Sequence, residues 1–90
     1  MLLRERHQLG AEAFAELLIW RTPRSVSGST HRYKYSLAYV VREVCVLRYD
    51  NEAGKGDHKH VGDRQTRYRF TTPERLLADF WLDVDQWRPA

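Results

Sequence analysis

The sequence predicts an α+β domain, an antiparallel sheet of about five strands with one C-terminal amphipathic helix packed on a face. Residues 31–41, HRYKYSLAYVV, alternate aromatic or apolar side chains with basic or small ones, the period of a half-buried strand. Residues 71–88, TTPERLLADFWLDVDQWR, instead repeat apolar side chains every three or four positions, as an amphipathic helix does. Because 90 residues have room for one small core, residues 1–90 are expected to form a single domain.

The elements before this long strand follow from their composition. LLRERHQL at 2–9 predicts a first strand, which ends at a turn at Gly10. FAELLIWR at 14–21 predicts a second strand, because its isoleucine and tryptophan and the following Pro23 favour strand over helix. TPRSVSGST at 22–30 is a loop by its proline, glycine, serine and threonine content.

Two further strands are predicted after the long one. Arg42 and Glu43 separate it from VCVLRYD at 44–50, and this short gap predicts a tight antiparallel hairpin, although a turn glycine is lacking. TRYRF at 66–70 predicts a short last strand, with its arginines on one side.

The helix has a clear start and one wide apolar stripe. Thr71 followed by Glu74, with a proline between them, predicts a capping box at its N-terminus. The stripe needs an apolar partner, and Tyr33, Tyr35 and Tyr39 of the long strand offer the largest one, so we expect these tyrosines in the core. The stripe consists of Leu76, Leu77, Phe80, Trp81, Val84 and Trp87.

Charge and composition limit the classes of function. The net charge of +3 divides into 13 basic against 8 acidic residues in 1–70, and 2 against 4 in 71–90, which is +5 and −2. The basic body favours an anionic partner such as nucleic acid. No apolar run approaches the roughly 20 residues that span a bilayer. The N-terminus turns charged after two leucines, unlike a signal peptide, and the single Cys45 excludes an internal disulfide. A cytoplasmic protein is therefore expected.

The most informative stretch is LRYDNEAGKGDHKHVGD at 47–63. His58 and His60 are two residues apart, so in an extended segment their side chains project together. Two imidazoles near neutral pH offer a general base and a general acid, which suits cleavage of RNA by its own 2′-hydroxyl. We predict that these histidines share the two roles and that Asp50 orients one of them. The predicted phosphate-binding cations are Lys55, Arg48, Arg69 and Lys59.

Other interpretations of this stretch remain open. It also has the composition of an ordinary exposed hairpin loop. His58-x-His60 could begin a metal site, but no second His or Cys pair stands at a known ligand spacing, so we predict no metal and no cofactor. The residues that could complete a metal site are Asp50, Asp57, Asp63 and His31. In a non-catalytic binding module, the basic side chains of Arg32, Lys34 and Arg42 would matter more than the histidines.

Three segments carry a resemblance to a known family. HRYKYSLAYV, VCVLRYDNEAGKGDHKH and TPERLLADFWLDVDQW together resemble the TumE-type toxin family of prokaryotic type II toxin–antitoxin systems, from about Tyr33 to Trp87. The resemblance implies a cytoplasmic, growth-inhibiting toxin whose partner is a helix-turn-helix antitoxin. By analogy with other small toxins it further suggests a metal-independent endoribonuclease acting on an RNA substrate. The alternative is a module that blocks a nucleic-acid or protein target stoichiometrically.

Overall fold

A computed structural model of the chain describes residues 2–52 and 54–89 as a six-stranded antiparallel sheet followed by a helix. The strands lie in the sheet in chain order, so each inner strand is paired with the strands that precede and follow it, and the first and last strands form the edges. The elements are β1 (Leu3–Gln8), β2 (Ala13–Arg21), β3 (Tyr33–Val41), β4 (Val44–Asp50), β5 (His58–Val61), β6 (Arg64–Arg67) and α1 (Pro73–Gln86).

The predicted α+β class is confirmed, with six strands where about five were expected. The additional strand is β5, so His58 and His60 lie in a strand paired with β4 and not in an open loop. The last strand is also displaced, because β6 ends at Arg67. The chain then leaves the sheet, and Tyr68 and Phe70 pack against the core.

Tight two-residue turns join β3 to β4 and β5 to β6. Arg42 and Glu43 have φ values of 50° and 68°, the left-handed pair that a two-residue type I′ hairpin requires, so the predicted turn forms without glycine. The β5–β6 turn begins at Gly62, whose φ is 59°. Glycine adopts this conformation without steric penalty.

The helix covers one face of the sheet, which we call the helix face. The predicted stripe packs there, with Leu76 and Phe80 fully buried, and Tyr35 lies in the core with Tyr33 and Tyr39 at its margin, as expected. The fully enclosed core side chains are Ala15, Leu17, Ile19, Tyr35, Leu37, Leu47, Tyr49, Leu76 and Phe80.

The start of the helix differs by one residue from the prediction. Thr72, and not Thr71, is the N-cap, and its hydroxyl accepts a hydrogen bond of 3.1 Å from the backbone nitrogen of Arg75. Pro73 then occupies the first helical position, where its missing N–H leaves no bond unmade. The helix ends before Trp87, whose indole packs edge-on against Tyr39.

Three tyrosine hydroxyls on the helix face donate hydrogen bonds to carboxylates. Tyr35 donates to Asp57 at 2.8 Å, and Tyr49 and Tyr68 donate to aspartates of α1. Burial, followed by these hydrogen bonds to carboxylates, raises the pKa of all three phenols above the ordinary value near 10.

The opposite side of the sheet, the open face, has no helix over it in residues 2–52 and 54–89. Side chains alternate between the two faces along each strand, so the residues between the core positions of β4 project onto the open face. Among the described residues, no helix is both long enough and apolar enough to cross a membrane.

Candidate functional site

The pairing of β4 with β5 gathers four polar side chains on the open face. Asp50 lies directly opposite His58, and Arg48 lies opposite His60. Since both members of each pair share a face, these two pairs form one patch at the end of β4. Residues eight to twelve positions apart in the sequence are thus neighbours in space.

The ring of His58 is hydrogen-bonded at one nitrogen and contacts a carboxylate with the other. Its Nδ1 lies 3.0 Å from the carbonyl oxygen of Gly56, and its Nε2 lies 2.6 Å from Asp50 Oδ1. A carbonyl oxygen only accepts, so Nδ1 must carry a proton. The ring is thereby oriented with Nε2 toward the Asp50 carboxylate.

The two oxygens of Asp50 differ in their surroundings. Oδ2 forms an ion pair of 3.1 Å with Arg48 Nε. Oδ1 is buried, and its contact with His58 is close but lies outside hydrogen-bond geometry, so no described residue donates a hydrogen bond to it. A buried carboxylate oxygen without a donor is uncommon, because removing it from water is unfavourable.

His60 completes the group that we call the Asp50–His58–His60 cluster. Its ring meets that of His58 edge to face, with centroids 4.9 Å apart. One ligand-type atom from each of the three residues lies within 4.8 Å of the other two. His58 is buried, whereas His60 is only half-buried, and among the described residues no hydrogen bond engages its ring.

The cluster opens into a cavity of about 620 Å³ on the open face, which we call the histidine cavity. Arg48 and Lys55 line its wall together with the carboxylates of Asp50 and Glu52, so five of the seven predicted catalytic and phosphate-binding residues meet there. Sequence reasoning missed Gln65, which lies opposite His60 on β6, because only the strand pairing makes it a neighbour. Cys45 of β4 is exposed and also lines the cavity.

Two of the predicted phosphate-binding residues lie away from the histidine cavity. Lys59 points to the helix face, where its ammonium group pairs with Asp83 at 3.1 Å and lies 5.6 Å from the ring centroid of Tyr49. Its position between two outward-facing histidines is the reason, since consecutive strand residues face opposite sides. Arg69 lines a neighbouring cavity instead.

This second cavity, of about 580 Å³, is called the loop cavity. Lys55 borders both cavities, and Arg67, Arg69 and Phe70 line the loop cavity. Register places Arg67 directly opposite His58 on the neighbouring strand. The basic surface therefore continues from the Asp50–His58–His60 cluster along the end of the sheet.

Neither of two other possible metal ligands, Asp57 and His31, joins the cluster. Asp57 accepts from His31 Nε2 at 2.6 Å, from Tyr35 and from Ser29. His31 Nδ1 accepts from the backbone nitrogen of Tyr33 at 3.1 Å. Both side chains are thus fully used in joining the 22–32 loop to the 51–57 loop. Asp63 lies in the exposed β5–β6 turn.

The glycines of these loops serve packing between the loops. A Cβ atom on Gly28 would lie 2.8 Å from the backbone nitrogen of Gly56, and both residues have positive φ. Asn51 is fully buried; its side-chain oxygen accepts a hydrogen bond from the backbone nitrogen of Tyr35, and its side-chain nitrogen donates one to the carbonyl oxygen of Tyr33. The chain between Asp50 and His58 is thereby anchored to β3, which holds the cluster in register.

Comparison with known proteins gives one match. A family model described as Toxin TumE matches residues 3–88, nearly the whole chain. No curated protein sequence and no solved structure matches this chain.

Proposed function

The chain belongs to the TumE toxin family, and from that membership we propose that it inhibits growth as a metal-independent endoribonuclease. Membership makes it the toxin of a toxin–antitoxin system, with an antitoxin as its partner. The endoribonuclease activity is our inference from the Asp50–His58–His60 cluster. The carrying observation is the pairing of a buried histidine, held by the Gly56 carbonyl and in contact with Asp50, with a half-buried one at the wall of a cavity that Arg48 and Lys55 also line.

The two histidines have different environments, which supports different roles. The ring of His60 makes no hydrogen bond to the described residues, so it is free to accept the proton of a ribose 2′-hydroxyl. His58 is held in place by its hydrogen bond to the Gly56 carbonyl and by its contact with the Asp50 carboxylate, and we assign it the acid role. It would protonate the departing 5′ oxygen.

The proposed reaction breaks one bond and forms one. The 2′ oxygen, losing its proton to His60, attacks the adjacent phosphorus, and the P–O5′ bond breaks as His58 protonates that oxygen. The products are a 2′,3′-cyclic phosphate and a 5′-hydroxyl. The proposed reaction uses no metal ion, oxidant or reductant. Asp50 is a positioning residue here, since it acts through His58.

Cations along the open face would bind the RNA backbone. Arg48 and Lys55 line the histidine cavity, where they can stabilise the extra charge on the phosphorane. Arg67 and Arg69 extend the basic surface into the loop cavity, and Phe70 there offers an aromatic surface for an unpaired base. We propose this path for the single strand, in preference to a path past Lys59.

The antitoxin partner is proposed to be of the helix-turn-helix type. Arg48 and Lys55 border the histidine cavity, where they pair with Asp50 and Glu52. An acidic segment of the antitoxin that takes the place of these carboxylates would pair with the two cations and neutralise the toxin by covering the cluster. Loss of neutralisation on reversing the charge of Lys55 would support this contact surface.

The test is cleavage of a defined single-stranded RNA in excess chelator. Wild-type protein should produce fragments that end in 2′,3′-cyclic phosphates, and His60→Ala should reduce the rate about 100- to 10,000-fold. His7→Ala removes an imidazole of β1, outside the cluster, and serves as the matched control with an unchanged rate.

Circular dichroism and thermal unfolding should show that His60→Ala is folded. Full activity of that folded variant would refute the assigned role. Intact RNA with every folded protein, together with inhibition that scales one-to-one with a bound target, would instead favour the stoichiometric binding module.

A further inference from the structure

We propose that Asp50, His58 and His60 also form a binding site for a transition-metal dication of the zinc class, and that the bound metal inhibits the ribonuclease. The inhibition rests on the proposed function, whereas the metal binding does not. The same three residues would then have two alternative states, a metal-free state active in proton transfer and a metal-bound state that is inactive.

The first observation is the composition and spacing of the cluster. Two imidazole nitrogens and one carboxylate oxygen lie within 4.8 Å of one another. Ligands about 2.1 Å from a tetrahedral ion are about 3.4 Å apart, so small side-chain rotations bring these atoms to coordinating distance. Three protein ligands leave a fourth position for water.

The second observation is the unsatisfied carboxylate oxygen of Asp50. Its buried Oδ1 atom has no hydrogen-bond donor among the described residues and lies 2.6 Å from His58 Nε2. An imidazole nitrogen and a carboxylate oxygen are both ligands of zinc-class dications, so an ion bound to these two atoms would satisfy Oδ1 and would compete with the proton for the same electron pairs.

The surroundings of the cluster match those of metal-binding histidines. The Nδ1–H of His58 donates to the Gly56 carbonyl, which fixes the ring so that Nε2 faces Asp50. Ligating histidines in proteins commonly have their second nitrogen held in this way. The other oxygen of Asp50 pairs with Arg48, which holds the carboxylate plane.

The donor set selects the type of metal. Imidazole nitrogens suit Zn²⁺, Co²⁺ and Ni²⁺, whereas Mg²⁺ prefers an all-oxygen, octahedral shell. Coordination of His60 removes the free electron pair that accepts the 2′ proton. Coordination of His58 replaces its Nε2 proton. A metal on the cluster therefore abolishes both proton transfers at once.

The test uses the full chain without a histidine tag, first stripped with chelator. Titration with Zn²⁺ by calorimetry should give one site per chain, and Co²⁺ should give visible absorption bands of a four-coordinate ion. His60→Ala and Asp50→Asn should each weaken Zn²⁺ binding about tenfold or more, with His7→Ala unchanged. Mg²⁺ should produce no heat at the same concentrations. Cleavage of RNA should fall in proportion to bound Zn²⁺ and return when chelator is added.

The outcomes separate the two proposals. Equal Zn²⁺ affinity in wild type and folded His60→Ala would overturn the metal site, whatever the nuclease assay shows. A one-to-one complex that depends on the cluster, in a protein that cleaves no RNA under any condition, would support the site and refute the ribonuclease. Cleavage that increases with bound Zn²⁺ would keep the site but overturn both the inhibition and the metal-independent mechanism.

Discussion

The contact between Asp50 and His58 gives a quantitative prediction about stability. The side chains are only 16% and 8% exposed, so neither charge is well solvated. Removing one member of a fully buried ion pair is destabilising by about 3–5 kcal/mol. Asp50 keeps some contact with water, and we therefore expect Asp50→Asn to lower the free energy of unfolding by about 2–3 kcal/mol. For a domain of this size the midpoint of thermal unfolding should fall by roughly 10–20 °C.

A double-mutant cycle isolates the contact itself. Asp50→Asn, His58→Gln and the double variant are compared with wild type by urea unfolding in the presence of chelator. If the two groups interact as described, their coupling energy should be about 1–3 kcal/mol. Asp85→Asn removes an exposed carboxylate of α1 and is the matched control, with an expected change within about 0.5 kcal/mol.

The cycle tests directly whether Asp50 and His58 interact. Single substitutions that add to within about 0.5 kcal/mol in the double variant would show that the side chains do not interact. In that case Asp50 could not position His58, and the proposed acid role would lose its support.

Three further predictions test other parts of the structure. Arg67→Ala should weaken binding of single-stranded RNA in filter-binding assays and lower the salt dependence of binding by about one phosphate contact. Lys59→Ala should change neither quantity, and equal losses in the two variants would contradict the placement of these residues on opposite faces of the sheet. Burial raises the pKa of three tyrosines, so their contribution to the free energy of unfolding should be complete below pH 10 and should fall as the pH rises further. Tyr49→Phe should make that fall shallower in urea titrations from pH 8 to 11.5, and an identical slope would refute the linkage. Gly28→Ala should be destabilising by about 1–3 kcal/mol more than Gly54→Ala, since both have positive φ but only the first would place a Cβ atom against backbone; equal thermal midpoints would show that the loops do not pack as described.

Patterns confined to a single segment were predictable from the sequence. The alternation of residues 31–41 identified Tyr35 as core, with Tyr33 and Tyr39 on the same face, and the stripe of the helix identified Leu76 and Phe80 as core. The two-residue turn at Arg42 and Glu43 was also correct. These features depend on the period of one strand or helix, or on the length of one connection, so local spacing is sufficient to infer them. The same local period placed His58 and His60 on one side of the chain.

What required the tertiary structure was the relation between strands. The register of β4 against β5 sets Asp50 beside His58, and it depends on how the 51–57 loop is anchored through buried Asn51. A shift in register between Tyr39 and Val40 further places Cys45 on the open face. Each strand sequence is compatible with several registers, and a slip of one residue would move every side chain to the other face. The sequence by itself therefore determined which residues could take part in the chemistry, while packing between distant segments decided which of them meet.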